Sequence, residues 1–364
     1  MIKHLRLQNF TVFKDAELEF SRGLNVIIGE NGAGKTHLLK LGYMFSNAWH
    51  ALVNNQNYIS EHKVEQYFSE RLVNIFKPDK VGNLSSTGGD GKSMVSASLL
   101  GTIPTVQIGL PSNMPGMTDE ITWQFSFSNR SIDHIDLQEK LTSNAKYGKG
   151  VYLPSKEMLS FFEGFSALYE KREISIDETY KDLALHLETP KLKTIPPILK
   201  KTLADLSCDV GGGLELKGGK FYLVSGNSVH REMTLVAEGI IKLATLMRLI
   251  ENGSLEVGDT LFWDEPEVNF NPKLIKAVAA DILSLCKNGF QVIIGTHSLF
   301  LLRELEILAS QKPYLDIPQR YFALSKQEDF TNIQQGNSVD EINPLIMLDE
   351  ELAQSDRFIN MGNA

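Results

Sequence analysis

The sequence predicts an α/β fold with a mixed, largely parallel core sheet, an antiparallel β subdomain and an inserted helical lobe, and three observations carry that prediction. Leu24 to Ile28 is a continuous apolar run of the kind a buried strand needs; it stops at Gly29 and is followed, after a glycine-rich turn, by helical apolar spacing from Thr36 to Trp49. Thr260 to Trp263, Pro272 to Cys286 and Phe290 to Ile294 read as strand, helix and strand, and this β-α-β order implies parallel pairing. Between these blocks, Val81 to Phe127 turns to Gly, Ser and Thr around short β-rich pieces, whereas Lys156 to Leu206 is helical with breaks at Pro190, Pro196 and Pro197. The expected division is therefore 1–150, 151–212 for the helical lobe, and 213–364.

The remaining elements follow in order. Ile2 to Leu7 and Ala16 to Phe20 alternate as an antiparallel hairpin, and residues 61–76 form a second helix. Val95 to Leu100 and Ile121 to Phe127 suggest a small antiparallel sheet with a loop at Gly88 to Lys92. Leu214 to Val224 reads as a hairpin turning at Gly218-Gly219, and Ala237 to Ile250 as an amphipathic helix ending at Asn252-Gly253. From Leu299 onward come a helix, two strands at Arg320 to Leu324 and Phe330 to Gln334, and a closing helix near Ile346 to Ala353. No heptad is sustained, so a long coiled-coil arm is not expected.

The 364 residues, 42% hydrophobic and 22% charged, exclude a disordered chain and allow a large core. A net charge of -9 makes no global case for a nucleic-acid coat, although a local groove could still bind DNA. Lys191, Lys193, Lys200 and Lys201 form a short basic cluster free of acids in sequence, a solvated face or the first place to look for DNA or an acidic partner. Cys208 and Cys286 lie in apolar patterns rather than at metal-ligand spacing and read as buried thiols of a reducing compartment. The start of the chain lacks an apolar signal core and no later run has the length of a membrane span, so no membrane partner and a cytoplasmic location are expected.

Gly29-Glu30-Asn31-Gly32-Ala33-Gly34-Lys35-Thr36 fits the phosphate-loop pattern G-x-x-x-x-G-K-[ST], in its required setting between strand and helix. Its glycines let backbone N–H groups converge on phosphates beside a helix N-terminus; Lys35 should reach the β and γ phosphates, and the Thr36 hydroxyl should ligate Mg²⁺. ATP and Mg²⁺ are thus the expected cofactors. Such a site needs a second acid for the metal and a group to activate water. Both stand after Thr260 to Trp263: Asp264 would bind Mg²⁺ through water and Glu265 would polarise the attacking water. His297, in Thr296-His297-Ser298, follows a buried strand at the ligand-binding edge of the sheet and could hydrogen-bond the γ-phosphate; packing against the next helix is the bland alternative.

With these motifs in place the chain resembles an ATP-binding-cassette-type P-loop ATPase head of the RecF, SMC and OLD group, and in particular the stand-alone bacterial "AAA family ATPase" proteins. The resemblance runs from Ile2-Lys3-His4-Leu5-Arg6-Leu7-Gln8-Asn9-Phe10 through the phosphate loop to Asp264-Glu265-Pro266-Glu267 and Thr296-His297-Ser298. It implies that two copies sandwich two ATP molecules and that a signature motif of one closes over the nucleotide of the other. The matching stretch is Val236 to Lys242, which keeps Gly239 but carries Ala237 in place of the signature serine and Glu238 in place of a glycine. Asn269, in Glu267 to Pro272, is the implied cross-dimer residue, with an ordinary capping loop as the alternative. Tyr152 to Leu159 falls where the group carries a Mg²⁺-sensing loop; it holds no glutamine, leaving Lys156 and Glu157 as guesses and Ser155 as a helix cap.

The resemblance implies an ATP-hydrolysing switch that controls a separately encoded effector, a nuclease or toxin, in anti-phage defence. A DNA-repair ATPase that binds DNA directly is the alternative. The tail from Leu299 shows no second catalytic acid constellation of the type a fused metal-dependent nuclease needs.

Overall fold

The computed structural model describes residues 1–52, 60–86, 91–103, 117–137, 143, 145–171, 175–226, 229–343 and 346–361. The chain opens with strands β1 (Ile2–Phe10), β2 (Phe13–Glu19) and β3 (Leu24–Gly29), then helices α1 (Lys35–Leu52) and α2 (Glu61–Phe76). Strands β4 (Lys92–Ile103), β5 (Met117–Ser128), β6 (Asp136–Leu137), β7 (Lys146–Tyr147) and β8 (Gly150–Leu153) lead to helices α3 (Phe165–Lys171), α4 (Glu178–Glu188) and α5 (Lys200–Val210). Next come β9 (Gly213–Lys217), β10 (Lys220–Ser225), β11 (Val229–Glu232), α6 (Glu238–Glu251), β12 (Thr260–Asp264), α7 (Pro272–Lys287) and β13 (Gln291–Thr296). The chain closes with α8 (Leu299–Ala309), β14 (Gln319–Lys326), β15 (Thr331–Gly336) and α9 (Ile346–Met361), the last one longer than its apolar spacing suggested.

The core is a six-stranded sheet in the order β15-β14-β3-β13-β12-β8, parallel except for β15. Its strands are apolar on both faces because both are covered. Val26, Trp263, Ile294 and Leu153 face a core shared with α5 to α8, while Ile27, Phe262, Ile293 and Tyr152 face α1 and the antiparallel sheet. α1 lies directly on that second face and buries Leu38, Leu39, Leu41, Met44 and Phe45. The phosphate-loop helix is therefore seated on the same sheet whose strand ends carry the other candidate residues.

The N-terminal hairpin and the β-rich pieces after Val81 are not separate sheets. β4 pairs with β1, so that β2-β1-β4-β5-β6 form one antiparallel sheet with β7 added on β4. Alternation along a strand reports which face is buried, but it carries no information about a partner ninety residues away. The expected loop at Gly88 to Lys92 lies outside the described residues over 87–90, and Lys92 itself opens β4. β11, which the sequence pattern did not suggest, extends the β9–β10 hairpin into a three-stranded sheet; all four of its residues are exposed, so it has no alternation to read.

β8 spans the 150/151 boundary drawn from composition, so the middle stretch opens with a strand of the core sheet before its helices begin. Those helices are tied to the phosphate-loop helix by a polar cluster. Lys40 of α1 pairs with Asp177 at 2.9 Å, and Arg71 of α2 pairs with Glu178 at 2.9 Å and Asp182 at 2.7 Å. The Tyr43 hydroxyl donates to Asp182 at 2.6 Å. Such pairs fix geometry more than they stabilise, because their desolvation offsets most of the attraction.

Three expectations are corrected. Cys286 is buried but Cys208 is exposed, since its position on α5 falls on the outer face of that helix. The lysine cluster is free of acids only along the chain: Lys191 meets Glu251 at 2.8 Å and Lys201 meets Asp205 at 3.7 Å, which leaves Lys193 and Lys200 as its exposed remainder. Ser155 caps no helix; the short 3-10 turn at Leu159–Phe161 is held by Glu157, which accepts from the Ser160 amide at 3.1 Å and from the Ser160 hydroxyl. Among the described residues no helix is long and apolar enough to cross a membrane.

Candidate functional site

The carboxyl ends of β3, β13 and β12 lie side by side, with Thr296 opposite Ile28 and Asp264 opposite Gly295. That edge gathers the phosphate loop, the Asp264-Glu265 pair and His297 into one place, the position where open α/β sheets bind ligands. Gly32 and Gly34 take positive φ of 77° and 98°, so the loop can turn its amides inward at two points where an L side chain would be strained. Gly34 is also too close to the Phe13 ring, 2.6 Å from where a Cβ would sit, for any other residue. Ala33 is buried, whereas Asn31 and Gly32 are exposed at the mouth.

Lys35 is 5% exposed, and its ammonium donates to the Gly29 carbonyl at 2.8 Å and the Glu30 carbonyl at 3.1 Å. Burial pulls it below its ordinary pKa, opposed by Glu265, Asp264, Glu267 and Glu30. The Thr36 hydroxyl donates to Asp264 Oδ2 at 2.8 Å, and the Tyr152 hydroxyl donates to the same oxygen at 3.2 Å. Burial pushes the Asp264 carboxyl up, opposed first by the Thr36 hydrogen bond. Asp264 Oδ1 is buried without any hydrogen-bond partner. A bare buried carboxylate oxygen beside a hydroxyl is a donor set that a hard divalent cation would complete, so Thr36 and Asp264 fit Mg²⁺.

Glu265 follows the strand in a left-handed conformation, φ 48°, its amide tied to the Gly295 carbonyl at 2.8 Å. Its carboxylate remains partly exposed, acts by its charge on Lys35 and lies 3.2 Å from His297 Nδ1. The same nitrogen is 3.6 Å from Glu267 Oε1, and it has hydrogen-bond geometry to neither. His297 therefore stands at the sheet edge between two carboxylates rather than packed into α8.

The signature-like stretch and Asn269 lie on the adjoining surface. Ala237 occupies the N-cap of α6 with no side-chain hydrogen bond, and both it and Glu238 are exposed. Gly239 is buried against Asn269 and Phe270; a Cβ there would come within 2.9 Å of the Asn269 carbonyl oxygen. Asn269 is exposed with φ 68°, a left-handed position that asparagine tolerates, and it is Asn271 that caps α7, accepting from the Leu274 amide at 3.0 Å.

Sequence reasoning gave no role to three side chains that build the site. Glu267 is buried and accepts from the Thr296 hydroxyl at 2.7 Å and the His297 amide at 3.1 Å, clamping the β12 turn to the end of β13. Lys242, also buried, donates to the carbonyls of Glu265 at 3.3 Å and Val268 at 3.1 Å, tying α6 to that turn. Burial pulls its ammonium below the ordinary value, chiefly opposed by Glu238. A lysine inside the apolar stripe of α6 and a second acid beside Glu265 were the available signals. Tyr152 opens the stretch expected to sense Mg²⁺, but the guesses there fall on Lys156 and Glu157, because an aromatic residue in an apolar strand looks like core.

Two family models match the chain: "AAA domain" over residues 4–163 and "AAA domain, putative AbiEii toxin, Type IV TA system" over residues 124–303. Curated relatives include the DNA replication and repair protein RecF of Clostridium kluyveri, 32% identical over 97 residues, which are 23% of this chain and 27% of that protein. RecF of Listeria welshimeri is 37% identical over 73 residues, 20% of each chain. The chain thus matches only about a quarter or less of the length of these relatives. Among solved structures, an SMC head bound to the C-terminal winged-helix domain of ScpA aligns with TM-score 0.54 at 13% identity, covering 93% of this chain and 98% of its own. The Pyrococcus furiosus SMC head with an extended coiled coil gives 0.52 at 12% identity, covering 98% and 99%. The fold is that of an SMC head, and within it residues 4–163 and 124–303 are similar to AAA domains, with the phosphate loop inside the first match.

Proposed function

We propose that the chain is a Mg²⁺-dependent ATPase that works as a switch: two copies close around two ATP molecules, hydrolysis separates them, and the two states control a separate effector protein. The observation that carries the reading is the convergence of Lys35, Thr36, Asp264 and Glu265 on one sheet edge, next to an α6 N-terminus left exposed and uncapped. Lys35 supplies positive charge to the β and γ phosphate oxygens, and the loop amides orient them. The cation held by Thr36 and Asp264 would neutralise charge on those oxygens. Glu265 accepts a proton from water as its oxygen attacks the γ-phosphorus, and the bond to the β-phosphate oxygen breaks to release ADP. His297, beside Glu265, is placed to donate to the γ-phosphate.

A γ-phosphate bound on one copy and the free amides of α6 on another would make closure depend on nucleotide, which is the differential affinity a switch requires. The family description over 124–303 names a putative toxin of a Type IV toxin–antitoxin system, which supports a part in a two-component system of that kind; control of a separate effector and an anti-phage role rest on the resemblance of the motifs. The RecF relatives support the second reading about as well: a repair-type ATPase that binds DNA itself.

Glu265→Gln separates them. It preserves shape but cannot take the proton, so hydrolysis should fall by roughly a hundred- to ten-thousand-fold with ATP binding retained. Sedimentation should then show a larger species with ATP than with ADP. Affinity capture with the same variant should recover an effector in one nucleotide state only. An ATP-independent monomer would sink the sandwich model. Nucleotide-insensitive capture together with salt-dependent DNA binding, lost on neutralising Lys193 and Lys200, would favour direct DNA binding.

A further inference from the structure

We propose that Tyr152 is a positioning residue that orients the Asp264 carboxylate and thereby sets how tightly the site holds its divalent cation. This rests on the reading of Thr36 and Asp264 as the cation's protein ligands. The side chain arrives there by register: β8 runs alongside β12 with Tyr152 opposite Phe262, so both rings point to the α1 face, as does Asp264 two residues further along β12. The ring packs against Tyr43 of α1 at 5.7 Å between centroids and is 3% exposed. A phenol buried to that degree needs a hydrogen-bond partner, and its partner is Asp264 Oδ2 at 3.2 Å.

The two oxygens of Asp264 are treated unequally. Oδ2 receives both hydroxyls, from Thr36 and Tyr152, while Oδ1 receives none. The Thr36 hydroxyl can keep its proton on Oδ2 while a lone pair faces the cation, so its position is tied to the cation it ligates. Tyr152 has no such second duty. It is a donor that holds Oδ2 independently of the cation, and a fixed Oδ2 keeps Oδ1 as the free oxygen. Lys156 and Glu157 do not compete for this role: Lys156 is exposed and Glu157 is engaged with Ser160. Partners that orient a metal ligand in this way typically govern about ten- to hundredfold of metal affinity.

The test titrates Mg²⁺ into the full chain with a fluorescent, non-hydrolysable ATP analogue, so that no turnover enters the readout. Tyr152→Phe removes one oxygen and keeps the packing. It should leave analogue affinity in EDTA unchanged, which also shows that the variant is folded, and should raise the Mg²⁺ concentration at half-effect about tenfold. Tyr152→Met, which fills space without a donor, should behave the same way. A Mg²⁺ midpoint equal to that of the wild type in either folded variant overturns the assignment and leaves the nucleotide site standing. A wild-type chain whose analogue binding ignores Mg²⁺ overturns the cation site, and this inference with it.

Discussion

The phosphate loop and the start of α6 are both helix N-termini on one surface, and the chain finishes only the first of them. At the loop, Lys35 is buried against the Gly29 and Glu30 carbonyls, Thr36 holds Asp264, and the left-handed turn at Gly34 is packed against Phe13. At α6, the N-cap is an alanine with no side-chain bond, Ala237 and Glu238 are exposed, and Leu235 just before them is 74% exposed. Helix N-terminal amides that no side chain satisfies are filled by water or by a ligand. The difference teaches what one chain completes by itself: the phosphate loop has its side chains in place, while the amides at the start of α6 are left to water or to a ligand.

The largest effect should come from breaking the completed site. Lys35→Ala removes the charge aimed at the β and γ oxygens and leaves Asp264, Glu265 and Glu267 facing incoming phosphates without it, so ATP binding by calorimetry should be lost at ordinary protein concentrations. An alanine variant that titrates like the wild type would show that the phosphate loop is only a turn.

A smaller effect is expected at the junction between the two ends. In Gly239→Ala the new methyl would meet the Asn269 carbonyl and the Phe270 ring, so the β12–α7 turn has to shift, at a cost of about 1–3 kcal/mol for overpacking. Because that turn is anchored by Lys242 and lies beyond Glu265, nucleotide binding should survive while ATP-dependent association weakens. Denaturant unfolding and sedimentation with ATP measure the two halves of this expectation. Loss of both binding and association together would mean that the two ends are one structural unit.

The sequence made the completed end legible because its pattern is local: glycines at fixed spacing, a lysine, a threonine, and an apolar strand before a helix. Asp264, Glu265 and His297 were legible for the same reason, each standing directly after a buried strand. What escaped was whatever depends on two distant strands meeting. β4 pairs with β1 and β8 with β12, and neither partner can be read from alternation. Tyr152 touches Asp264 only because of that second pairing. Glu267 and Lys242 announced themselves as charges in apolar surroundings, but their partners are a hydroxyl and backbone groups, which leave no trace in composition. Cys208 was misplaced because an apolar neighbourhood in sequence does not say which face of α5 a residue occupies.

The smallest expected effect asks whether the α6 start is an unfinished site or a plain helix end. Ala237 already has the extended backbone of an N-cap, φ -61° and ψ 135°, so a serine there can turn its hydroxyl oxygen to the amides of the first turn without moving the chain. Ala237→Ser should stabilise the fold by about 1 kcal/mol, seen as a higher denaturation midpoint at unchanged slope. That gain needs no nucleotide and is expected on either view. ATP decides between them. If the α6 terminus faces phosphate on a second copy, the added hydroxyl is one more donor to that phosphate and the ATP-bound association should tighten. If it only begins a helix, the hydroxyl serves its own backbone and association stays where it was. Stability gained with association unchanged would place the partner's contact elsewhere on this surface, with exposed Asn269 the next residue to substitute.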